Sequence, residues 1–434
     1  MGCKMRTIIQ MGSNETSGTL FFFLIFAKKN MKQRGFGSLA IHPAAASRKA
    51  GSPHTEAIYP TSTYQYDDAE ELMAVFRKEK EGFIYSRWSN PGFEQAEATL
   101  AAMECWNLQN AAGEPLQAKA QLFSSGMAAI SSLLLACLRP GDKLLTQHNL
   151  YGGSTELMNT LLKDRLITCL MVDLKDLDRV EHLLQSDPAI RMLYLESPTN
   201  PTMEVYDLEQ LSALARKYGK KTAVDNTFCT PYLQQPFQYG IDAIVHSTTK
   251  YLHGHGWAIG GALVSTDLEF MSKDLFSMVK LLGGNSNAFD AWLLTQGLKT
   301  LELRMDRHCS NALQISRWLE QHPAISKVHY AGLPSHPDHA LAQRQMRQFG
   351  GMLSFELKGG LAAGIDLMNR VAFCTLAVSL GTVDTIIQHP ASMSHVCVPR
   401  ADRERAGIGD GLIRFSAGIE NVDDILNDLE QALA

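Results

Sequence analysis

Between Gln121 and Ser265 short β-rich runs alternate with longer stretches whose apolar positions recur at helical spacing. Such alternation predicts a mostly parallel sheet with helices on both faces. The predicted strands are Gln121–Ser124, Lys143–Gln147, Met192–Glu196, Lys221–Asp225, Ile241–His246 and Ala262–Ser265. Met127–Leu138, Glu156–Leu162 and Leu208–Tyr218 carry the helical pattern between them. In such sheets functional groups collect at the carboxyl ends of the strands. After about Leu301 the texture changes to long amphipathic helices, Glu302–Gln321 and His339–Gln348, with strands such as Met352–Leu357. That change predicts a separate α+β domain.

Upstream of the sheet the pattern loosens. From Met31 to about Trp88 the chain is loop-rich and carries Tyr59, Tyr64, Tyr66 and Tyr85, a composition suited to wrapping a partner. Asn107–Lys119 is polar and rich in small residues, and reads as a surface insertion between a helix and a strand. Leu20–Ala27 is intensely apolar but far shorter than the ~20 residues that span a bilayer. Polar residues 13–18 precede it and Lys28-Lys29 follow it, which is not the layout of a secretory signal. The expected organisation is an extension over residues 1–30 with Met31 as candidate first residue, an arm over 31–89, a sheet domain over 90–300 and a C-terminal domain over 301–434.

Composition narrows the function classes. Apolar residues make up 45% and charged residues 20% of the 434, which is ordinary for a globular chain that buries a large core. A net charge of -5 and a pI near 6.3 disfavour a polyanion-binding surface, so no nucleic acid partner is expected. Eight scattered cysteines without a C-x-x-C pair suit the reduced thiols of a cytoplasm, and neither a metal nor a membrane is expected.

The most informative segment is Asp242–Gly256, an apolar run that ends in Ser247, Thr249, Lys250 and glycines. It delivers a single amine with two hydroxyls beside it. A loop lysine after a buried strand is the competing reading. Ala223-Val-Asp225 ends another strand in a carboxylate, and Ser124-Ser-Gly126-Met127 turns from strand to helix with backbone N–H groups free for an anion. Asn149-Leu-Tyr151-Gly-Gly153 follows a third strand end and offers an aromatic face and a phenol. Tyr85-Ser-Arg87 places a phenol and a guanidinium two apart on an extended chain outside the sheet domain; if they grip an anion they reach it in a neighbouring subunit. Gly411-Leu-Ile-Arg414 buries an arginine in an apolar strand, which calls for a carboxylate partner, either structural or a substrate's. Ser379 and Asn200 are candidates for further contacts to the carboxylate and to a cofactor oxygen. An amine, a strand-end acid, an anion cradle and a carboxylate-binding arginine are together what pyridoxal phosphate chemistry requires.

Two other signals fail. Gly254–Gly260 imitates a dinucleotide loop but misplaces the third glycine, and His253 with His255 lacks the further ligands a metal would need.

The assembled motifs closely resemble the cysteine/methionine-metabolism family of pyridoxal phosphate enzymes: cystathionine γ-synthases, cystathionine γ-lyases, methionine γ-lyases and O-acylhomoserine sulfhydrylases. The likeness runs from about Gly35 to the C-terminus. It is carried by Tyr85-Ser-Arg87 with Asn90-Pro91, Ser125-Gly-Met127, Leu150-Tyr-Gly-Gly153, Glu196-Ser-Pro-Thr-Asn-Pro201, His246-Ser-Thr-Thr-Lys250-Tyr, and His389-Pro-Ala-Ser-Met-Ser-His395 followed by Arg414. The resemblance implies the fold-type I pyridoxal phosphate-dependent transferase fold, an α/β architecture with a mostly parallel seven-stranded sheet, helices on both faces and a C-terminal α+β domain. It also implies that Lys250 bonds pyridoxal 5'-phosphate and then moves protons among the substrate's carbons. Asp225 would pair with the ring nitrogen, Tyr151 would stack on the ring, and Gly126, Met127, Ser247 and Thr249 would hold the phosphate. Tyr85 and Arg87 would come from the adjacent subunit, and Arg414 and Ser379 would take the substrate carboxylate. A homotetramer of two active dimers is implied.

Among the members, γ-elimination on a sulfur amino acid is the leading expectation and γ-replacement the alternative; an aminotransferase or a catalytically silent binding protein on the same fold are more remote. Gly153 stands where methionine γ-lyases typically have cysteine, whereas Gly350–Glu356 and Leu376–Gly381 look most like the γ-lyases. Asp384 supplies a carboxylate where cystathionine-handling members have Glu, and Trp257 stands where relatives carry a small or acidic residue. Both bear on specificity.

Overall fold

Seven strands make the larger sheet: β1 (Lys119–Phe123), β2 (Lys143–Gln147), β3 (Thr168–Val172), β4 (Ile190–Glu196), β5 (Lys221–Asp225), β6 (Ala243–His246) and β7 (Gly261–Ser265). Their spatial order is β1-β7-β6-β5-β4-β2-β3; β7 runs antiparallel to both neighbours and the other pairs are parallel. The computed structural model describes residues 34–42, 53–394, 396–397, 400–405 and 407–434. The predicted extension over residues 1–30 with its apolar run, Met31 and His395 lie outside them.

Successive strand residues point to opposite faces, and here both faces are apolar. Leu193, Val224, Ile244 and Val264 pack on one face against helices Pro91–Glu104, Leu177–Ser186 and Leu208–Lys217. Tyr194, Ala223, Val245 and Leu263 pack on the other against helix Gly126–Cys137. Side chains cap the starts of these helices: Asn90, Ser125, Asp176 and Asp207 each accept a first-turn N–H, the standard remedy for helix donors that have no intrahelical acceptor.

The second sheet holds β8 (Ile325–His329), β9 (Met352–Leu357), β10 (Thr375–Leu376), β11 (Ile386–Gln388) and β12 (Leu412–Ser416), in the order β10-β11-β12-β9-β8. Its pairs are antiparallel except β10 with β11. Ile413 and Phe415 of β12 are buried in a core with helices Leu301–Gln321 and Val422–Leu433. The period of two therefore turns Arg414 to the opposite face, toward the large sheet's carboxyl end.

The predicted strands match closely, with β1 and β4 starting two residues earlier and β6 two residues later. Strand β3 and helix Leu177–Ser186 were not anticipated. The segment predicted as helix Glu156–Leu162 is an α-helix from Gly152 to Leu157 followed by a π-turn over Met158–Leu162. The insertion at 107–119 does connect a helix to β1, folded back on itself through a bridge between Gln109 and Pro115. Among the described residues no helix is long and apolar enough to cross a membrane.

Candidate active site

A cavity of about 250 Å³ opens where β4, β5 and β6 end, between the start of helix Gly126–Cys137 and β12. Gly126, Met127, Tyr151, Asn200, Asp225, Ser247, Thr249, Lys250 and Arg414 line it, so most of the residues singled out from sequence meet in one place. Ser125 of the same turn also lines it, and Ile130, Glu196, Pro198, Thr227, Phe228, Ile259 and Leu380 complete the wall without having been given a role from sequence.

One end is built for an anion. At the helix start the Ser125 hydroxyl takes the Ala128 N–H at 3.0 Å and the Ser125 carbonyl takes that of Ala129, leaving the Gly126 and Met127 N–H groups with no acceptor inside the helix. A Cβ on Gly126 would stand 2.9 Å from the Ser247 Cβ, and one on Gly261 would stand 2.1 Å from the Ser125 carbonyl oxygen. Glycine at both positions lets the turn, β7 and Ser247 close on one another. The Thr249 hydroxyl is fixed by Gly260, donating to its carbonyl at 3.1 Å and accepting its N–H at 3.0 Å, while the Ser247 N–H donates to the Thr227 hydroxyl at 2.8 Å.

The other end holds the amine and the acids. Lys250 Nζ lies 3.1 Å from the Ser379 hydroxyl. Burial, and after it the nearby Arg414 charge, pull the Lys250 amine down to about 8, so about a tenth of it is free base at pH 7, far more than for an ordinary lysine. Asp225 accepts the Thr227 N–H at 3.0 Å and no cationic side chain pairs with it among the described residues. Burial raises its pKa above the ordinary carboxylate range. Arg414 donates to the Ser379 carbonyl and, at 3.4 Å, to the Asn200 side chain, but among the described residues it meets no carboxylate; burial lowers it to about 10. Asp225 and Arg414 are each left wanting one partner of opposite charge.

Pyridoxal phosphate fits that set. Its phosphate matches the helix start with Ser247 and Thr249, its aldehyde carbon matches Lys250, its protonated ring nitrogen would satisfy Asp225, and an amino-acid substrate's carboxylate would satisfy Arg414.

Tyr151 stands at the mouth, half exposed, with its backbone N–H gripped by Glu196. A Cβ on Gly153 would meet the Tyr151 ring at 2.8 Å and the Met127 sulfur at 3.0 Å, so the missing side chain is what lets the ring settle there. Tyr85 and Arg87 do not line this cavity: Arg87 donates to the Lys280 carbonyl and lies 5.4 Å from the Tyr85 ring. Asp384 is also off the wall, in a turn where the Thr382 hydroxyl donates to its carbonyl. Trp257 is half exposed and stacks on His255 at 4.2 Å; Ile259, two residues on, is the member of that loop that reaches the cavity.

Residues 37–434 match the family model described as Cys/Met metabolism PLP-dependent enzyme. An L-methionine gamma-lyase of Fusobacterium nucleatum subsp. polymorphum is 44% identical over 404 residues, 93% of this chain and 98% of that protein. A cystathionine beta-lyase of Coxiella burnetii is 40% identical over 87% of this chain and 92% of its own length. The crystal structure of a cystathionine gamma synthase from Xanthomonas oryzae pv. oryzae, in complex with aminoacrylate and cysteine, superposes with a TM-score of 0.83 at 36% identity, covering 93% of this chain and 98% of that one. The cavity that fits the cofactor and these full-length likenesses agree, and the chain belongs to the Cys/Met metabolism PLP-dependent enzymes.

Proposed function

We propose that this enzyme catalyses γ-elimination on a thioether amino acid, L-methionine or cystathionine, releasing a thiol, ammonia and an α-keto acid. The observation that carries the reading is the meeting of Lys250 and Arg414 at Ser379. An amino acid whose carboxylate is held by Arg414 presents its Cα beside the Lys250 amine. The bound cofactor serves as the electron sink for the carbanions formed at Cα and Cβ. Lys250 Nζ takes the Cα proton and moves protons onward among the substrate's carbons. Tyr151, at the mouth, delivers its phenolic proton to the departing sulfur. Asp225 keeps the pyridine nitrogen protonated, and Gly126, Met127, Ser247 and Thr249 hold the phosphate. L-methionine gamma-lyases of Fusobacterium nucleatum and Porphyromonas gingivalis, 44% and 40% identical, support elimination.

γ-Replacement is the second reading, favoured by the likeness to cystathionine gamma synthase structures. Incubating the holoenzyme with L-methionine, L-cystathionine, or O-acetylhomoserine plus cysteine separates the two, because elimination yields keto acid and replacement yields a thioether. Absence of keto acid from every sulfur amino acid sinks the leading reading. A silent binding protein would purify without a visible chromophore.

The working unit in this reading is a cytoplasmic homotetramer of two active dimers, in which the arm over residues 31–89 lends Tyr85 and Arg87 to the neighbour's phosphate. Support comes from the position of Arg87 outside its own cavity and from the exposed apolar surface beside it, which includes Tyr59, Phe76, Tyr85, Leu281 and Leu282. The arm is anchored in its own chain by Glu56, whose carboxylate meets Lys299 at 2.5 Å and whose carbonyl accepts Trp292 Nε1–H at 3.1 Å.

A further inference from the structure

Buried polar groups at the end of the large sheet form a chain of braces that finishes on Tyr151. Gln147, the last residue of β2, is fully buried; its side-chain oxygen accepts the Glu196 N–H at 3.0 Å and its amide donates to the Glu196 carbonyl at 3.1 Å. Glu196, the last residue of β4, in turn brings both carboxyl oxygens to the Tyr151 N–H, at 3.0 and 2.8 Å. Tyr151 immediately precedes helix Gly152–Leu157, so this one N–H sets where the phenol ring starts from. Glu196 is 5% exposed, lines the cavity, and stands opposite Asp225 in the β4–β5 register, on the same face of the sheet. No cation pairs with either acid among the described residues, and two charges side by side on a buried floor repel. The Ser154 hydroxyl, beside Glu196 and Tyr194, is buried and makes no hydrogen bond among the described residues, so it is free to take a proton.

We propose that Glu196 is the positioning residue for Tyr151, acting as a neutral acid: its carbonyl oxygen takes the Tyr151 N–H, its acid proton goes to the Ser154 hydroxyl, and Asp225 is left as the single charge on the cavity floor. Burial and, after it, the Asp225 charge push the Glu196 carboxyl well above the ordinary carboxylate range, in the direction this arrangement needs. Among the described residues no cation stands by to hold a second charge facing Asp225, and the Glu196 carboxyl meets only the Tyr151 N–H.

The test uses holoenzyme carrying Glu196→Gln, Glu196→Ala or Gln147→Ala, read by visible circular dichroism of the bound cofactor, by amide exchange of the peptide over residues 148–157, and by kcat and KM. The spectrum is recorded without substrate, so it is independent of which amino acid is turned over. Glutamine reproduces the neutral acid, with an oxygen for Tyr151 and an N–H for Ser154, and should stay within about threefold of the parent in kcat, as expected where geometry is kept. Alanine frees the Tyr151 loop and should cost about 100-fold in kcat with a smaller change in KM, speed exchange over 148–157, and shift the cofactor dichroism toward that of Tyr151→Ala. Gln147→Ala, off the cavity wall, should speed the same exchange even if Glu196→Ala does not fold. Damage in Glu196→Gln equal to that in Glu196→Ala overturns the neutral acid; unchanged exchange and dichroism in both Glu196→Ala and Gln147→Ala, or in Gln147→Ala alone if Glu196→Ala is not recovered, overturns the brace.

Discussion

Lys250 and Arg414 are joined through one residue: the Lys250 Nζ lies 3.1 Å from the Ser379 hydroxyl, and the Ser379 backbone carbonyl accepts the Arg414 guanidinium. The first contact uses a side chain and the second does not, so substitutions separate them. Ser379→Ala removes one hydrogen bond and should cost no more than about tenfold in kcat/KM, while Arg414 keeps its carbonyl partner. Arg414→Lys loses the bidentate fork and should raise KM for the amino acid by about 10- to 100-fold with a smaller change in kcat. Steady-state kinetics of the two variants check the division of labour; an Arg414→Lys enzyme with unchanged KM contradicts it.

The depressed pKa of Lys250 has a visible consequence. Only the free amine can bond the cofactor, so the rate at which cofactor-free protein regains its visible absorbance on adding pyridoxal phosphate should rise with pH to a midpoint of about 8. Because the folded value lies below the unfolded one, the unfolded chain holds more protons between them. Stability of the cofactor-free protein therefore gains with rising pH across the window from about 8 to the ordinary lysine value near ~10.4. Arg414→Gln removes a cation that helps to lower Lys250 and should move the recombination midpoint upward. A midpoint that stays put shows that burial alone sets it.

Gly153 decides where the Tyr151 ring can lie. An alanine Cβ there would press on the ring at 2.8 Å and on Met127 at 3.0 Å, and the half-exposed ring is the group free to yield. Gly153→Ala should lower kcat by on the order of 10- to 100-fold if the displaced Tyr151 ring is the proton donor proposed above. Thermal stability should change little, since the ring is not part of the core. A large fall in melting temperature with kcat retained would locate the role of Gly153 in folding instead.

Legibility in the sequence followed the physics of each element. Strand-end chemistry stood out because β6 is an apolar run up to His246 and Ala223-Val224 of β5 lead straight into a carboxylate, so Asp225 and the polar cluster after His246 break the pattern sharply. Arg414 was visible for the same reason, a lone charge between Ile413 and Phe415. Strand β3, a half-buried edge strand, escaped although Thr168–Val172 is a near-continuous apolar run, because no polar motif closes it as Asp225 closes β5. Glu196 and Gln147 escaped because their importance rests on neighbouring strands: Gln147 meets Glu196 across the β2–β4 pair, 49 residues away along the chain. A buried Glu closing an apolar strand, as Asp225 closes β5, was the signal available. The two-fold sharing of Tyr85 and Arg87 was argued from resemblance and from their place outside the sheet domain, and it is open to direct test.

If Arg87 serves the neighbour's site, two inactive variants should rescue one another. Lys250→Ala removes the amine from its own cavity, whereas Arg87→Ala removes the guanidinium from the cavity across the interface. In a mixed dimer one cavity carries both lesions and the other carries neither. Random reassociation of equal amounts makes half the pairs mixed, so about a quarter of the parent activity should return. With Arg87 acting in its own chain every cavity in the mixture is damaged and nothing returns. The same mixing with Arg414→Ala in place of Arg87→Ala is the control, since Arg414 lines the cavity of its own chain and the two lesions then fall in separate cavities. Recovery with Arg87→Ala and none with Arg414→Ala is the expected pair of results.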